Sequence, residues 1–199
     1  MKKLAIMAAA VVALTSFTSS GYKVGDKAMD FKLKNTDGRM MALTSLDNTK
    51  GFIVVFTCNH CPVAKAYEDR IIALDKKYAP KGYPVVAINS NDPSQVPEDS
   101  FENMQKRAKE KQYTFPYLFD ETQTVAKAYG ATCTPYVFVL QKTGDDYIVK
   151  YIGAIDDNRD DATQTKNKYV EAAVDALLAN TPVTITNTKA IGCGIKWKS

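Results

Sequence analysis

Apolar residues along this chain follow two rhythms: short unbroken runs, and positions that recur every three or four residues. The run Gly51-Phe-Ile-Val-Val-Phe-Thr57 has strand length, β-branched content and no polar break, the pattern of a fully buried strand over 52–57. Val63, Tyr67, Ile71, Leu74 and Tyr78 then fall on one face of a helix that Pro80 and Gly82 stop. Tyr83 to Asn89 is a second apolar strand. Two such strands joined by a helix form a right-handed βαβ unit with a parallel sheet.

Shorter signals flank this unit. Residues 21–29 read as a polar leader, and Phe31–Leu33 with Arg39–Leu43 as two short strands about the turn Asn35-Thr-Asp-Gly38. Asn89 to Pro97 is a polar loop, and Glu98 to Lys111 a surface helix whose charged face reads as solvated. Pro116–Phe119 is a short strand, and Thr122–Tyr129 a short helix closed by Gly130. Tyr136–Gln141 and Tyr147–Ile152 make an antiparallel hairpin across Thr143-Gly-Asp-Asp146. Tyr169, Ala172, Ala173, Ala176 and Leu177 lie on one face of a last helix that stops at Asn180. Tyr129, Tyr136 and Trp197 read as core or rim residues, and no repeat is present.

The first twenty residues change the picture of where the chain works. Lys2 and Lys3, the apolar Leu4–Leu14 and the small polar Thr15–Ser20 form a secretory signal, with cleavage expected near Ser20-Gly21. Export to a periplasmic space follows, with a domain over 21–180 and a tail over 181–199 that packs on it. The apolar run is shorter than the roughly 20 residues of a membrane span, and no other segment approaches that length, so no transmembrane segment is expected in the mature chain. No cysteine near the cleavage region suggests a lipid anchor. Against 22 acidic residues stand 26 basic ones, two of them in the leader, a balance too even for nucleic-acid binding. A monomer is expected.

Four cysteines are too few for a disulfide scaffold at this length, so each setting carries its own reading. Cys58-Asn-His-Cys61 joins the central strand to its helix, which puts two thiols within bridging distance on one turn and makes a redox dithiol the leading reading. Placed at the helix N-cap, Cys58 would meet unpaired N–H groups and the positive dipole end, a setting that lowers a thiol pKa from about 8.5 to roughly 3.5–7.5. Cys58 is therefore the expected nucleophile, and Cys61 the resolving thiol. His60, the only histidine, would tune that thiolate by a hydrogen bond or positive charge. Pro62 costs little in a first turn whose N–H groups have no helical partner. The alternatives are a stable disulfide or half of a zinc site. Only Cys133, Cys193 and His60 remain as further ligands, without a second C-x-x-C, so neither a metal nor another cofactor is expected.

The order β-β, β-α-β, α, α, β-β, α and three stretches carry a resemblance. Val54-Val-Phe-Thr-Cys-Asn-His-Cys-Pro-Val-Ala-Lys-Ala-Tyr-Glu-Asp69, Thr134-Pro-Tyr-Val-Phe-Val139 and Gly192-Cys-Gly-Ile-Lys-Trp197 resemble the redoxin branch of the thioredoxin superfamily. That branch groups alkyl hydroperoxide reductases with thiol-specific antioxidants. The resemblance implies an α/β thioredoxin-like fold, a central mixed sheet flanked by helices, with an N-terminal hairpin and an inserted helix. It implies thiol–disulfide exchange with a redox partner protein or a thiol substrate. It also implies a cis Pro135 facing the sulfurs, with the Thr134 backbone offered to substrate. Asp156-Asp157-Asn158 is similar to an acidic turn of the family, and reads equally as a solvated turn.

The chain departs from the family in places that matter. Peroxidases of this kind resemble P-x-x-x-T-x-x-C, and aligning Cys61 with that cysteine leaves Val54 and Cys58 at the proline and threonine positions. Peroxide reduction is therefore a rival reading. Copper-delivery thioredoxin folds, a rival of another class, use a C-x-x-x-C pair and a distant histidine that this chain lacks. Thioredoxin carries a buried aspartate and a tryptophan where Phe52 and Thr57 stand, so the acceptor for the Cys61 proton is unassigned. Cys133 and Cys193 leave three readings open: a disulfide pinning the tail, a relay with Cys58 and Cys61, or two unrelated thiols.

Overall fold

The computed structural model describes residues 21–199, so the expected secretory signal lies outside the described residues. The elements are β1 Lys27–Ala28, β2 Lys32–Asn35, β3 Met40–Ala42, β4 Gly51–Phe56, α1 Pro62–Tyr78, β5 Val85–Asn89, α2 Phe101–Glu110 and β6 Tyr117–Phe119. They continue through α3 Thr124–Tyr129, β7 Cys133–Thr134, β8 Tyr136–Thr143, β9 Asp146–Gly153, α4 Tyr169–Leu178 and β10 Cys193–Gly194. Eight strands form one sheet in the order β1-β9-β8-β4-β5-β6-β2-β3, and β10 pairs with β7 apart from it. The central β4 runs parallel to β5 and antiparallel to β8.

Every residue of β4 is buried, because the strand is covered on both faces. Side chains alternate across a strand, so Phe52, Val54 and Phe56 enter one layer with Leu118, Val125, Tyr129 and Phe138. Ile53 and Val55 enter the other, against Ile71 and Leu74 of α1 and Val170 and Val174 of α4. This explains why the run shows no polar alternation. At Gly51 a side chain has no room: a Cβ would lie 2.0 Å from the Leu140 carbonyl oxygen.

Three local features differ from the sequence expectations. Residues 21–29 are not only a leader: Lys27 and Ala28 form β1, the edge strand beside β9, and only Ala28 is buried there, which leaves the segment polar. β10 is a further strand that periodicity does not mark, since it is only two residues long and one of them is a glycine. The segment 98–111 is not one solvated helix. It begins as a 3₁₀ turn, Pro97–Asp99, and α2 starts only after Ser100, whose hydroxyl accepts the Asn103 N–H.

The polar face of α2 is in part a clamp. Glu68 of α1 is buried, and accepts Arg107 Nε at 2.6 Å and Nη2 at 2.5 Å, with Tyr113 Oη at 3.2 Å and Lys111 Nζ at 3.4 Å. Removing one partner of such a pair leaves the other charge without compensation. Glu68→Ala should therefore lower unfolding free energy by about 3 kcal/mol in chemical denaturation, and Glu68→Leu combined with Arg107→Met should recover most of the loss. A single-variant cost no larger than that of an exposed ion pair would show that the clamp does not hold α2.

Candidate functional site

The chain leaves the C-terminal end of β4 through Thr57 and reaches the two sulfurs before α1 begins. Pro62 occupies the first helical position, so Cys61 is the N-cap residue, and its carbonyl accepts the Lys65 N–H at 3.0 Å. The expectation that Cys58 caps the helix is therefore wrong by one turn. Both thiols are buried, Cys58 at 2% exposure and Cys61 at 0%.

The loop between β7 and β8 meets them. The Thr134–Pro135 peptide bond is cis. Thr134 Oγ1 lies 3.0 Å from Cys58 Sγ, and the Thr134 carbonyl oxygen 3.5 Å from Cys61 Sγ, so one residue touches both sulfurs. Its backbone is already paired, because Cys193 of β10 lies opposite Thr134 in an antiparallel ladder. The Cys193 side chain packs on the cluster of Cys58, Cys61 and Ala64. All four cysteines are free thiols, and the register places Gly194, not Cys193, opposite Cys133.

The two buried sulfurs perturb each other in opposite directions. A hydrogen bond from Cys58, then bonds from Cys193 and the Ala64 N–H, pull Cys61 down to about 4. Its bond to Cys61, burial and the negative charge of Asp99 hold Cys58 well above the ordinary thiol range. The low-pKa sulfur is thus the one at the helix N-terminus, as dipole and capping require, but it is Cys61 and not Cys58. Burial raises Cys133, and burial with the bond to Cys61 raises Cys193 to about 11.

Beside Cys58 stands a carboxylate that sequence reasoning missed. Asp99 is wholly buried, with Oδ2 2.6 Å from His60 Nδ1 and accepting Asn91 Nδ2 at 2.8 Å. Its Oδ1 accepts the Asn59 N–H at 2.6 Å and Asn89 Nδ2 at 3.0 Å, and Tyr117 Oη donates to Asn59 Oδ1 at 3.0 Å. His60 therefore faces a carboxylate as well as the thiol. One ligand atom each from Cys58, His60 and Asp99 lies within 4.8 Å of the others, and among the described residues these three form the group that could hold a metal ion. A signal for part of this network was present. β4 and β5 are parallel, so the asparagines that end β5 must arrive next to the sulfurs that end β4. Asp99 itself carried none.

A cavity of about 600 Å³ opens alongside Pro135, lined also by Tyr67, Tyr169, Asp157 and Ile191. The acidic turn on its wall is not simply solvated: Asp156 is buried, binds Arg70 Nη1 at 2.8 and 2.7 Å, and accepts Tyr67 Oη at 3.0 Å.

The model of the AhpC/TSA family matches residues 24–152. A solved structure of an uncharacterized conserved protein from Geobacillus kaustophilus superposes with a TM-score of 0.82 at 43% identity, covering 88% of this chain and 93% of that one. A hypothetical protein from Sinorhizobium meliloti 1021 gives 0.82 at 36% identity, over 90% and 97%. Among curated relatives, the thiol-disulfide oxidoreductase ResA of Geobacillus thermodenitrificans is 29% identical over 124 residues. That match spans 61% of this chain and 65% of the relative, just under two thirds of its length. The architecture is thioredoxin-like.

The reduced dithiol should lose its first proton near pH 4 and not near the ordinary 9.0, read as thiolate ultraviolet absorbance and absent in Cys61→Ser. Because the folded value lies below the unfolded one, this thiolate stabilises the reduced protein fully above pH 9, and the contribution disappears as pH falls through 4. A single ionisation step near 9 in the reduced wild type would overturn this opposed perturbation of the two sulfurs.

Proposed function

Because the chain belongs to the AhpC/TSA family, we propose that it is a thiol–disulfide oxidoreductase whose Cys58–Cys61 pair exchanges with a disulfide of a protein or small thiol partner. The observation that carries the reading is the contact of Thr134 with both sulfurs of the pair. A structural disulfide or a core thiol has no use for a pair that holds one thiolate at neutral pH.

In the forward step the proton of Cys58 passes to Cys61, and the Cys58 thiolate attacks one sulfur of the partner disulfide. Thr134 Oγ1, 3.0 Å from Cys58 Sγ, steadies the attacking Cys58 sulfur by hydrogen bonding. The partner's second sulfur leaves as a thiolate and takes the proton from Cys61, which becomes a thiolate again. Cys61 then attacks Cys58 in the mixed disulfide, the partner leaves as its second thiolate, and Cys58–Cys61 closes. The partner gains two electrons and the dithiol loses two. Asp99 acts through His60 as a positioning group, holding the imidazole beside Cys58 where it can trade the proton.

The relative named as a thiol-disulfide oxidoreductase supports this reading, as does the leader sequence Met1–Ser20, which supports work in an exported, oxidising setting. Direct peroxide reduction is disfavoured by Val54 and Cys58, which stand at the proline and threonine positions of the P-x-x-x-T-x-x-C pattern. A metal-holding role has one observation in its favour, the Cys58, His60 and Asp99 grouping, although His60 Nδ1 is already engaged by Asp99.

With a disulfide-bonded protein substrate in a glutathione buffer, Cys58→Ser should fall to background, and Cys61→Ser should accumulate a mixed disulfide on Cys58 that mass spectrometry detects. Peroxide consumption that survives Cys58→Ser and is lost in Cys61→Ser would instead establish the peroxidase. Asp99→Asn should slow exchange by about a hundred-fold and displace its pH–rate profile. A loss of stability with an unchanged profile would reduce Asp99 to a structural role.

A further inference from the structure

Cys193 is placed like a substrate. In an antiparallel ladder, residues directly opposite one another project to the same face. Cys193 lies opposite Thr134, whose hydroxyl contacts Cys58, so the Cys193 thiol points toward the dithiol and packs on it. Its proximity also helps to lower the pKa of Cys61. Cys133 is the neighbour of Thr134 in a strand, and so projects to the opposite face. The contact thus singles out one of the two remaining cysteines.

The segment carrying Cys193 is built to stay there. A Cβ at Gly192 would lie 2.0 Å from the Thr134 carbonyl oxygen, so only glycine allows this approach. Beyond it Ile195 is buried, and its N–H donates to the Thr132 carbonyl at 3.0 Å. The Lys196 N–H donates to Asn91 Oδ1 at 2.8 Å, and the Lys196 carbonyl accepts the Asp92 N–H at 2.9 Å and Gln123 Nε2 at 2.7 Å. Asn91 also binds Asp99, so the tail is tied to the same polar network that flanks Cys58. Cys193 is only partly buried, whereas both members of the dithiol are closed off.

We propose that Cys193 is a third exchanging thiol, which takes over the disulfide of the Cys58–Cys61 pair by bonding to Cys61 and so carries it outward along the tail. The proposal rests on the exchange activity argued above, which supplies the Cys58–Cys61 disulfide. The Cys193 sulfur attacks Cys61 Sγ, the Cys61–Cys193 bond forms and the Cys58–Cys61 bond breaks. The electron pair leaves on Cys58, which receives the proton Cys193 gives up. One disulfide is exchanged for another, with no net oxidation. An external thiol can then reach the sulfur of Cys193, and its attack there returns Cys61 as a thiolate.

The test uses the full chain. Cys58→Ser with Cys133→Ser leaves Cys61 and Cys193, and the protein is equilibrated with reduced and oxidised glutathione, acid-quenched, alkylated and mapped by mass spectrometry. The expected product is an intramolecular Cys61–Cys193 disulfide in most molecules. Separate glutathione adducts on the two cysteines, or two thiols, would overturn the proposal. In the wild type partly oxidised under the same buffer, a Cys61–Cys193-linked peptide pair should accompany the Cys58–Cys61 pair, and its absence throughout the titration overturns the proposal even where the double variant misfolds. Cys193→Ala should still form Cys58–Cys61, but its reduction by an external thiol should slow by at least about ten-fold, as expected when an intramolecular step is lost. Failure of Cys58–Cys61 to form in Cys193→Ala and in wild type alike would strike the dithiol reading itself, while its formation without any Cys61–Cys193 product strikes only the relay.

Discussion

The contact of Thr134 with both reactive sulfurs is the constraint to which the rest of the molecule answers. Cys58 follows β4 and Pro135 precedes β8, two strands that pair antiparallel with Phe56 opposite Tyr136. That register brings the end of one strand and the start of the other to the same edge of the sheet. The two core layers then fix β4 from both faces, so the thiols sit on a support that cannot rock independently of the loop they touch. Rigid placement matters because sulfur exchange needs three sulfurs nearly in line, and a small displacement removes the geometry.

Electrostatics at the site follow from burial. A thiolate and a carboxylate, Cys61 and Asp99, lie in a region closed to water, and each is compensated by donors instead of solvent. Asp99 collects two asparagine side chains, a backbone N–H and His60, while Cys61 collects the helix N-terminus and two thiols. The insertion that supplies Asp99 is held on α1 by Glu68 and Arg107, so an ion pair remote from the sulfurs helps to set the charge beside Cys58.

Much of the frame was legible in the sequence because its elements are long or wholly apolar. The βαβ unit and the final hairpin showed themselves through an unbroken run at 52–57, a helical stripe from Val63 to Tyr78 and a turn at Thr143–Asp146. What escaped was either too short or too far apart in the chain. Two-residue strands such as β1 and β10 have no period to detect, and Asp99 approaches Cys58 only through tertiary folding. The displaced N-cap is a different case, since Pro62 is itself the marker of the first helical position and names Cys61 as the cap. The sequence leaves Asp156 open between a family-like acidic turn and a solvated one, because nothing local shows that Arg70, on another element, pairs with it.

The knitting of residues 192–198 across the dithiol has a consequence for how the protein is made. Translation delivers this segment after the sheet that carries Cys58 and Cys61, so a nascent chain passes through an interval in which the sulfurs lack the cover that Cys193 and its neighbours supply. Completion of the C-terminal stretch closes that window, and a protease that clipped the link between Leu178 and Gly192 would be free to open it again.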